Sequence, residues 1–305
     1  MIEIYEELEK FDHIKYNDGP HIYHINGKQT ISVTGLIGKF HEEFEEDKWA
    51  EYKAVERVLG EDYFKSLKKK VGFEKVVDEY KKTGGSEKSL NEAKKVILKE
   101  WKAKNHHATY EGSTLHNFIE NYLSNKIFPY PEENKEKTFT WPEIEKTYKV
   151  MEGHFLKFYS DIKGKLLPIK SEFIVGDEDY MLCGMVDQIF YNKKKKEFQI
   201  WDWKTNTKLK MENGFQKLIG PLAHLDDCEY TKYSLQLGIY KHIIEKNTNL
   251  KFGDSYITWF NENNKSYEVI ECLRLEKEIK DMLDYKMKHP ELFPVKELAE
   301  FEINF

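Results

Sequence analysis

Gly184-Met185-Val186-Asp187-Gln188-Ile189-Phe190 and, beyond a lysine-rich turn, Glu197-Phe198-Gln199-Ile200-Trp201-Asp202-Trp203-Lys204 are the two stretches that decide how this chain folds. On a strand, alternate residues share a face, so Asp202 and Lys204 point one way while Trp201 and Trp203 point the other. Burying the two indoles leaves the acid and the amine together at the exposed end of the strand. The turn at 192–196 folds the first stretch back against the second, and Asp187 and Asp202 stand at similar distances from it. Antiparallel pairing therefore sets the two acids roughly opposite each other. A carboxylate among apolar neighbours is costly to bury unless a cation or donor meets it. Two of them on paired strands point to a hard-metal site of the kind that Mg²⁺ forms with one or two carboxylates. Lys204 beside such an ion would hold or polarise a water.

Outward from this hairpin, residues 166–204 read as an antiparallel meander with turns at 176–179 and 192–196. A helix at 229–246, strands at 254–260 and 266–273, and a helix at 275–288 ended by Pro290 follow. Upstream, 141–160 puts Tyr148, Met151, Phe155, Phe158 and Tyr159 on one helical face, and 47–125 is helical by its spacings of three and four. Residues 12–34 carry hairpin signals at Asn17-Asp18-Gly19-Pro20 and Asn26-Gly27, and Ser32 is placed to cap a short helix. This order predicts the α/β (α+β) class, a sheet with helices and a helical N-terminal region.

Composition narrows the function classes. The chain has 305 residues, of which 40% are hydrophobic and 14% aromatic, which excludes a disordered chain. No run reaches the roughly 18 apolar residues of a membrane span. The acidic opening residues carry no basic n-region, so the expected setting is the cytoplasm with no membrane partner. Net charge is -6, so any nucleic acid must be met by a local basic groove. Only Arg57 and Arg274 are arginines among the 48 basic residues. Cys183, Cys228 and Cys272 form no CxxC pair, which argues against an iron–sulfur cluster or a zinc ribbon.

Three further groups stand out. Gly112-Ser113-Thr114-Leu115-His116-Asn117-Phe118-Ile119-Glu120 reads as a helix start in which His116 lies one turn from Glu120. Gln236 sits among Leu235, Leu237 and Ile239 without a packing reason, one turn from Tyr240. Glu172 is an acid on a strand, for which a solvated face is the plainer reading.

The ordered set GxxxH (Gly112, His116), GxxD (Gly184, Asp187), DxK (Asp202, Lys204) and QxxxY (Gln236, Tyr240) resembles the RecB-like branch of the PD-(D/E)XK nuclease superfamily. The DWKT wording (Asp202 to Thr205) and Ser32-Val33-Thr34 after a hairpin look like the subgroup that holds mitochondrial genome maintenance exonuclease and related phage exonucleases. The resemblance spans roughly residues 105–245, and because the chain lacks the Arg-rich leader of a mitochondrial member it implies the cytoplasm of a bacterium or of a phage-infected host. It implies a restriction-endonuclease-like core, a central mixed sheet flanked by helices, over 105–305, behind a β-ribbon and helical region at 1–104. By the same resemblance Asp187, Asp202, His116 and the Trp203 carbonyl would hold Mg²⁺ or Mn²⁺, Lys204 would orient the attacking water, and Gln236 and Tyr240 would brace the site. Glu172 and Glu120 would support it. Lys208 and Lys210, just past the DxK strand, and Ser32 and Thr34 are the expected DNA contacts.

The expected function is a metal-dependent DNA exonuclease of recombination, repair or replication, with a protein partner from those processes. Its substrate would be single-stranded DNA or DNA with free ends, bound with steep salt dependence. The alternatives are an endonuclease or junction-resolving enzyme of the same fold, and a catalytically silent nucleic-acid-binding protein on a nuclease scaffold.

Overall fold

The computed structural model describes residues 2–17, 19, 21–124 and 141–297. The chain divides into two compact units. The first comprises the described parts of Met1–Glu42, Gly112–Pro131 and Glu145–Phe305, the second those of Glu43–Glu111 and Glu132–Ile144.

In the first unit a helix α1 (Ile2–Glu9) leads into β1 (Lys15–Asn17), β2 (Ile22–Ile25), β3 (Lys28–Gln29) and β4 (Ile31–Ser32), then the short helix α2 (Val33–Ile37). The hairpin signals are met where expected: β1 pairs antiparallel with β2, and β2 with β3 across Asn26-Gly27. Asp18 and Pro20 of the first turn lie outside the described residues. Ser32 caps α2 by accepting from the Gly35 amide at 2.9 Å.

The second unit is helical. Helices α3 (Glu46–Leu59), α4 (Glu61–Val71), α5 (Val76–Lys82) and the first part of α6 (Glu87–Leu123) carry its elements. Tyr52, Val55, Phe64, Val76, Tyr80, Leu90 and Ile97 form its core. Arg57 makes a two-pronged bond to Glu100 at 3.1 and 2.8 Å.

The remainder belongs to the first unit from Glu145 onward: α7 (Trp141–Ile162), β5 (Leu166–Asp177), β6 (Leu182–Asn192), β7 (Glu197–Lys204), α8 (Glu229–Asn247), β8 (Tyr256–Trp259), β9 (Glu268–Glu271), α9 (Glu276–Lys288) and β10 (Lys296–Glu297). The sheet is mixed. β5 and β6 pair antiparallel, as do β6 and β7, and β8 and β9, while β7 and β8 run parallel. β6 is the hub: one edge carries β5, and the other carries β7 at Gln188–Asn192 but β4, in parallel, at Leu182 and Cys183. Between these two partners the strands fork, at residues 184–187. A smaller sheet joins β1, β2, β3 and β10.

Helices flank the mixed sheet. Phe158 of α7 meets Trp201 and Trp203 at ring separations of 5.5 and 5.7 Å, so the two indoles are buried on one side, as their alternation predicts. On the other side Tyr240, Ile239 and Ile243 of α8 join a core with Val186, Ile189, Ile200 and Ile257. Because α8 covers that side, Asp202 is buried instead of standing at an exposed strand end; only 3% of its side chain is accessible.

The unit boundary also differs from a division at 104/105. Residues 1–42 belong with the sheet because β4 hydrogen-bonds to β6 and Val33, Leu36 and Ile37 enter the same core. Among the described residues no helix is long and apolar enough to cross a membrane.

Candidate metal centre

The register places three acids in one row. β5 and β6 pair as Ser171↔Gln188 and Phe173↔Val186, which leaves Glu172 opposite Asp187. The β6–β7 ladder ends at Gln188↔Trp201, and one step further sets Asp187 opposite Asp202. Neither step is an ordinary ladder pair. Glu172 has φ 46°, a left-handed conformation rare for a residue with a Cβ. Val186 and Ile189, three residues apart, both enter the α8-side core, so the face alternation of β6 is reset at the Glu172–Asp187 position.

Asp187 fills the fork. Its Oδ2 accepts from the Trp203 amide at 2.8 Å, a bond that replaces the next rung of the ladder. The carbonyl of the same Trp203 stands 3.0 Å from His116 Nε2 on α6. A carbonyl only accepts, so Nε2 carries a proton and the other ring nitrogen, Nδ1, faces the acids. It lies 3.7 Å from both Glu172 Oε1 and Asp187 Oδ2. His116, Glu172 and Asp187 each offer a ligand atom, and these atoms lie within 4.8 Å of one another.

Asp202 stands outside that triad. Its Oδ2 pairs with Lys204 Nζ at 2.5 Å, and the same ammonium lies 4.5 Å from the centre of the Tyr233 ring on α8. Behind them Gln236 Nε2 donates to the Tyr240 hydroxyl at 3.0 Å, which gives the buried amide its reason to be there. Gly184 makes room for this pair: a Cβ on it would stand 2.4 Å from Tyr240 Cε1. On α6, a Cβ on Gly112 would come 3.1 Å from Thr205 Oγ1, just past the DxK strand.

The charges explain the titration behaviour. Burial opposes a positive charge on His116, but Asp187 and Glu172 beside it prevail and lift its pKa to about 9. Burial pushes Asp187 up, against the pull of His116 and Lys204. Burial also pushes Asp202 up, to about 6; Lys204 counters this and Asp187 adds to it. Burial disfavours the Lys204 ammonium, yet Asp202 and Asp187 hold it above the ordinary lysine range. Glu172, Asp187 and Asp202 thus line a site shared with the Lys204 ammonium and with His116, whose raised pKa favours a proton on the nitrogen turned to Glu172 and Asp187.

Of the expected site residues, the structure gathers His116, Glu172, Asp187 and Trp203, with Asp202, Lys204, Gln236 and Tyr240 adjoining. The Trp203 carbonyl is engaged by His116 here. Glu120 makes no side-chain hydrogen bond or ion pair to this group among the described residues. Ser32 pairs with Cys183 at the fork, with its hydroxyl 3.2 Å from that of Thr34. Lys208 and Lys210 are exposed on the loop after β7. Glu172 is half-buried, not on a solvated face, because its left-handed backbone re-aims the chain beside His116. Tyr233, under Lys204, is a contact that its sequence position did not single out. A signal for Glu172 does exist in the register: it and Asp187 are equidistant from the centre of the turn between β5 and β6, as Asp187 and Asp202 are from the next, and the solvated-face reading passes it over.

No protein-family model matches the chain, and no curated protein matches it.

Proposed function

We propose that this chain is a metal-dependent DNA exonuclease with a restriction-endonuclease-like core of the PD-(D/E)XK superfamily, RecB-like branch. The observation that carries the reading is the convergence of His116, Glu172 and Asp187 within 4.8 Å at a strand fork, with the Asp202–Lys204 pair on the adjoining strand. Two carboxylates and an imidazole suit Mg²⁺ or Mn²⁺, the latter tolerating nitrogen more readily. Glu172, Asp187 and, once Nδ1 gives up its proton, His116 would hold the ion, with Asp202 next in the row. A bound divalent ion would neutralise charge on a scissile phosphate and favour hydroxide at neutral pH.

The chain's own groups do the rest. His116 Nε2 and Asp187 grip the two ends of the Trp203 peptide and fix where β7 leaves the fork. Lys204, anchored on Asp202 and Tyr233, supplies a fixed positive charge that orients a water and favours its deprotonation. The Gln236–Tyr240 pair supports the site from below.

The test is hydrolysis of end-labelled single- and double-stranded DNA with and without Mg²⁺ or Mn²⁺, alongside Asp187→Asn and Lys204→Met. Metal-dependent release from ends, lost in both variants while covalently closed circles stay intact, is the expected result. Opening of the circles would replace exonuclease with endonuclease. No hydrolysis together with no divalent-ion binding by calorimetry would leave only a silent scaffold.

A further inference from the structure

The loop that leaves the site ends in an aromatic ring that touches nothing. After β7 the chain runs through residues 205–219, and Phe215 in it is fully exposed, with Met211 and Ile219 exposed near it in sequence. The loop is nevertheless firmly built. Lys217 bridges to Asp226, and Leu218 donates to the Leu225 carbonyl at 3.0 Å. Asn213 locks the bend: its Nδ2 donates to the Asp227 carbonyl at 2.8 Å, and its Oδ1 accepts from the Phe215 and Gln216 amides at 3.2 and 3.3 Å. The base of the loop is tied to the sheet, since the Asn206 carbonyl accepts from Trp259 Nε1 and Asn261 Nδ2 at 2.7 and 3.0 Å. A frame of this kind holds Phe215 in water at a fixed place, where it contributes nothing to the core.

Charge says what it meets. Lys208 and Lys210 on the same loop are exposed, and among the described residues their ammonium groups have no acidic partner. Both arginines of the protein are occupied, Arg57 on Glu100 and Arg274 on Asp254 at 2.8 and 2.5 Å. No free guanidinium is left to read a duplex groove or to fork onto a phosphate. What remains is point charges for the backbone on the same loop as an unpartnered ring, the combination that binds unpaired nucleotides by stacking.

We propose that Phe215 is a nucleobase-stacking site for single-stranded DNA, with Lys208 and Lys210 on the adjoining phosphates. This rests on the nuclease reading for the identity of the strand, but its binding step needs no catalysis. The ring of one unpaired base lies on Phe215, with its neighbouring phosphates met by the lysines of the same loop. A paired duplex offers that ring no open face.

The experiment is binding of a 2-aminopurine-labelled single-stranded oligonucleotide in Ca²⁺, which leaves the strand intact, for the wild type, Phe215→Ala and Phe215→Trp. Phe215→Ala should weaken binding by about tenfold and remove the fluorescence change of stacking, while Phe215→Trp restores both. The melting temperature should be the same in all three because the side chain packs against nothing. Equal affinity in wild type and Phe215→Ala, or equal preference for blunt duplex and single strand, overturns the proposal. The two readings separate cleanly: a wild type that binds through Phe215 but cleaves nothing with Mg²⁺ or Mn²⁺ removes the nuclease and keeps the stacking site. A wild type that cleaves, with Phe215→Ala unchanged in affinity, does the reverse. If the loop engages a protein instead, the oligonucleotide is not bound at all, and the proposal falls.

Discussion

Lys204→Met exposes the electrostatics of the site to a direct measurement. Asp202 is buried, and the Lys204 ammonium at 2.5 Å is what keeps its pKa as low as about 6. Removing one partner of a buried pair costs about 3–5 kcal/mol when the remaining charge has no escape. Here the escape is protonation of Asp202. The loss in the variant then equals the free energy that the wild type gains by ionising Asp202 in the folded state. That gain is near zero well below pH 6 and grows with pH above it.

The expected destabilisation is therefore negligible at pH 5 and grows by roughly 1 kcal/mol for each pH unit above about 6. At about 2–4 °C per kcal/mol for a domain of this size, the melting temperature falls by a few degrees at pH 7 and by more at pH 8. Urea unfolding at the three pH values reads the slope, and the double variant Asp202→Asn/Lys204→Met should remove it. A loss of equal size at pH 5 and pH 8, or a double variant that keeps the slope of the single one, refutes the ion-pair account.

Three other outcomes follow from the same geometry. His116 has a folded pKa raised to about 9 by Asp187 and Glu172 against burial, so its contribution to metal-free stability is present below about pH 6.5 and is lost as pH rises through about 9; urea midpoints of His116→Gln should lack this fall. Mn²⁺ must displace the Nδ1 proton, so calorimetric affinity should strengthen across that window, and an affinity that stays flat argues against His116 as a ligand. Gly184→Ala drives a Cβ to 2.4 Å from a Tyr240 ring that is only 3% exposed; the overpacking should cost about 1–3 kcal/mol in thermal unfolding, partly recovered by Tyr240→Leu, and full stability of the single variant would contradict the close fit.

Much of the frame was legible in local pattern. The two indoles, the Asn26-Gly27 turn and the three-strand meander are where periodicity and turn chemistry put them, because each rests on residues close in sequence. Reading failed where distant parts of the chain decide. Asp202 looked like the exposed partner of a surface lysine, since alternation cannot say that α8 covers that face. Glu172 looked solvated, since no propensity scale predicts a glutamate with φ 46° in the middle of a strand. The boundary of the units was missed for a related cause: β4 is two residues long, and its pairing with Leu182 and Cys183 leaves no mark in either segment.

That short strand has a bearing on how the protein comes into being. Ile31 and Ser32 leave the ribosome long before Leu182 and Cys183, and Tyr240, which packs on Gly184, later still. The β4–β6 pairing and the packing of Tyr240 on Gly184 are therefore both in place only after residue 240 has been made. Loop closure over such a span also slows folding, so the last-closing edge of β6 sets the pace for the strand that carries Asp187.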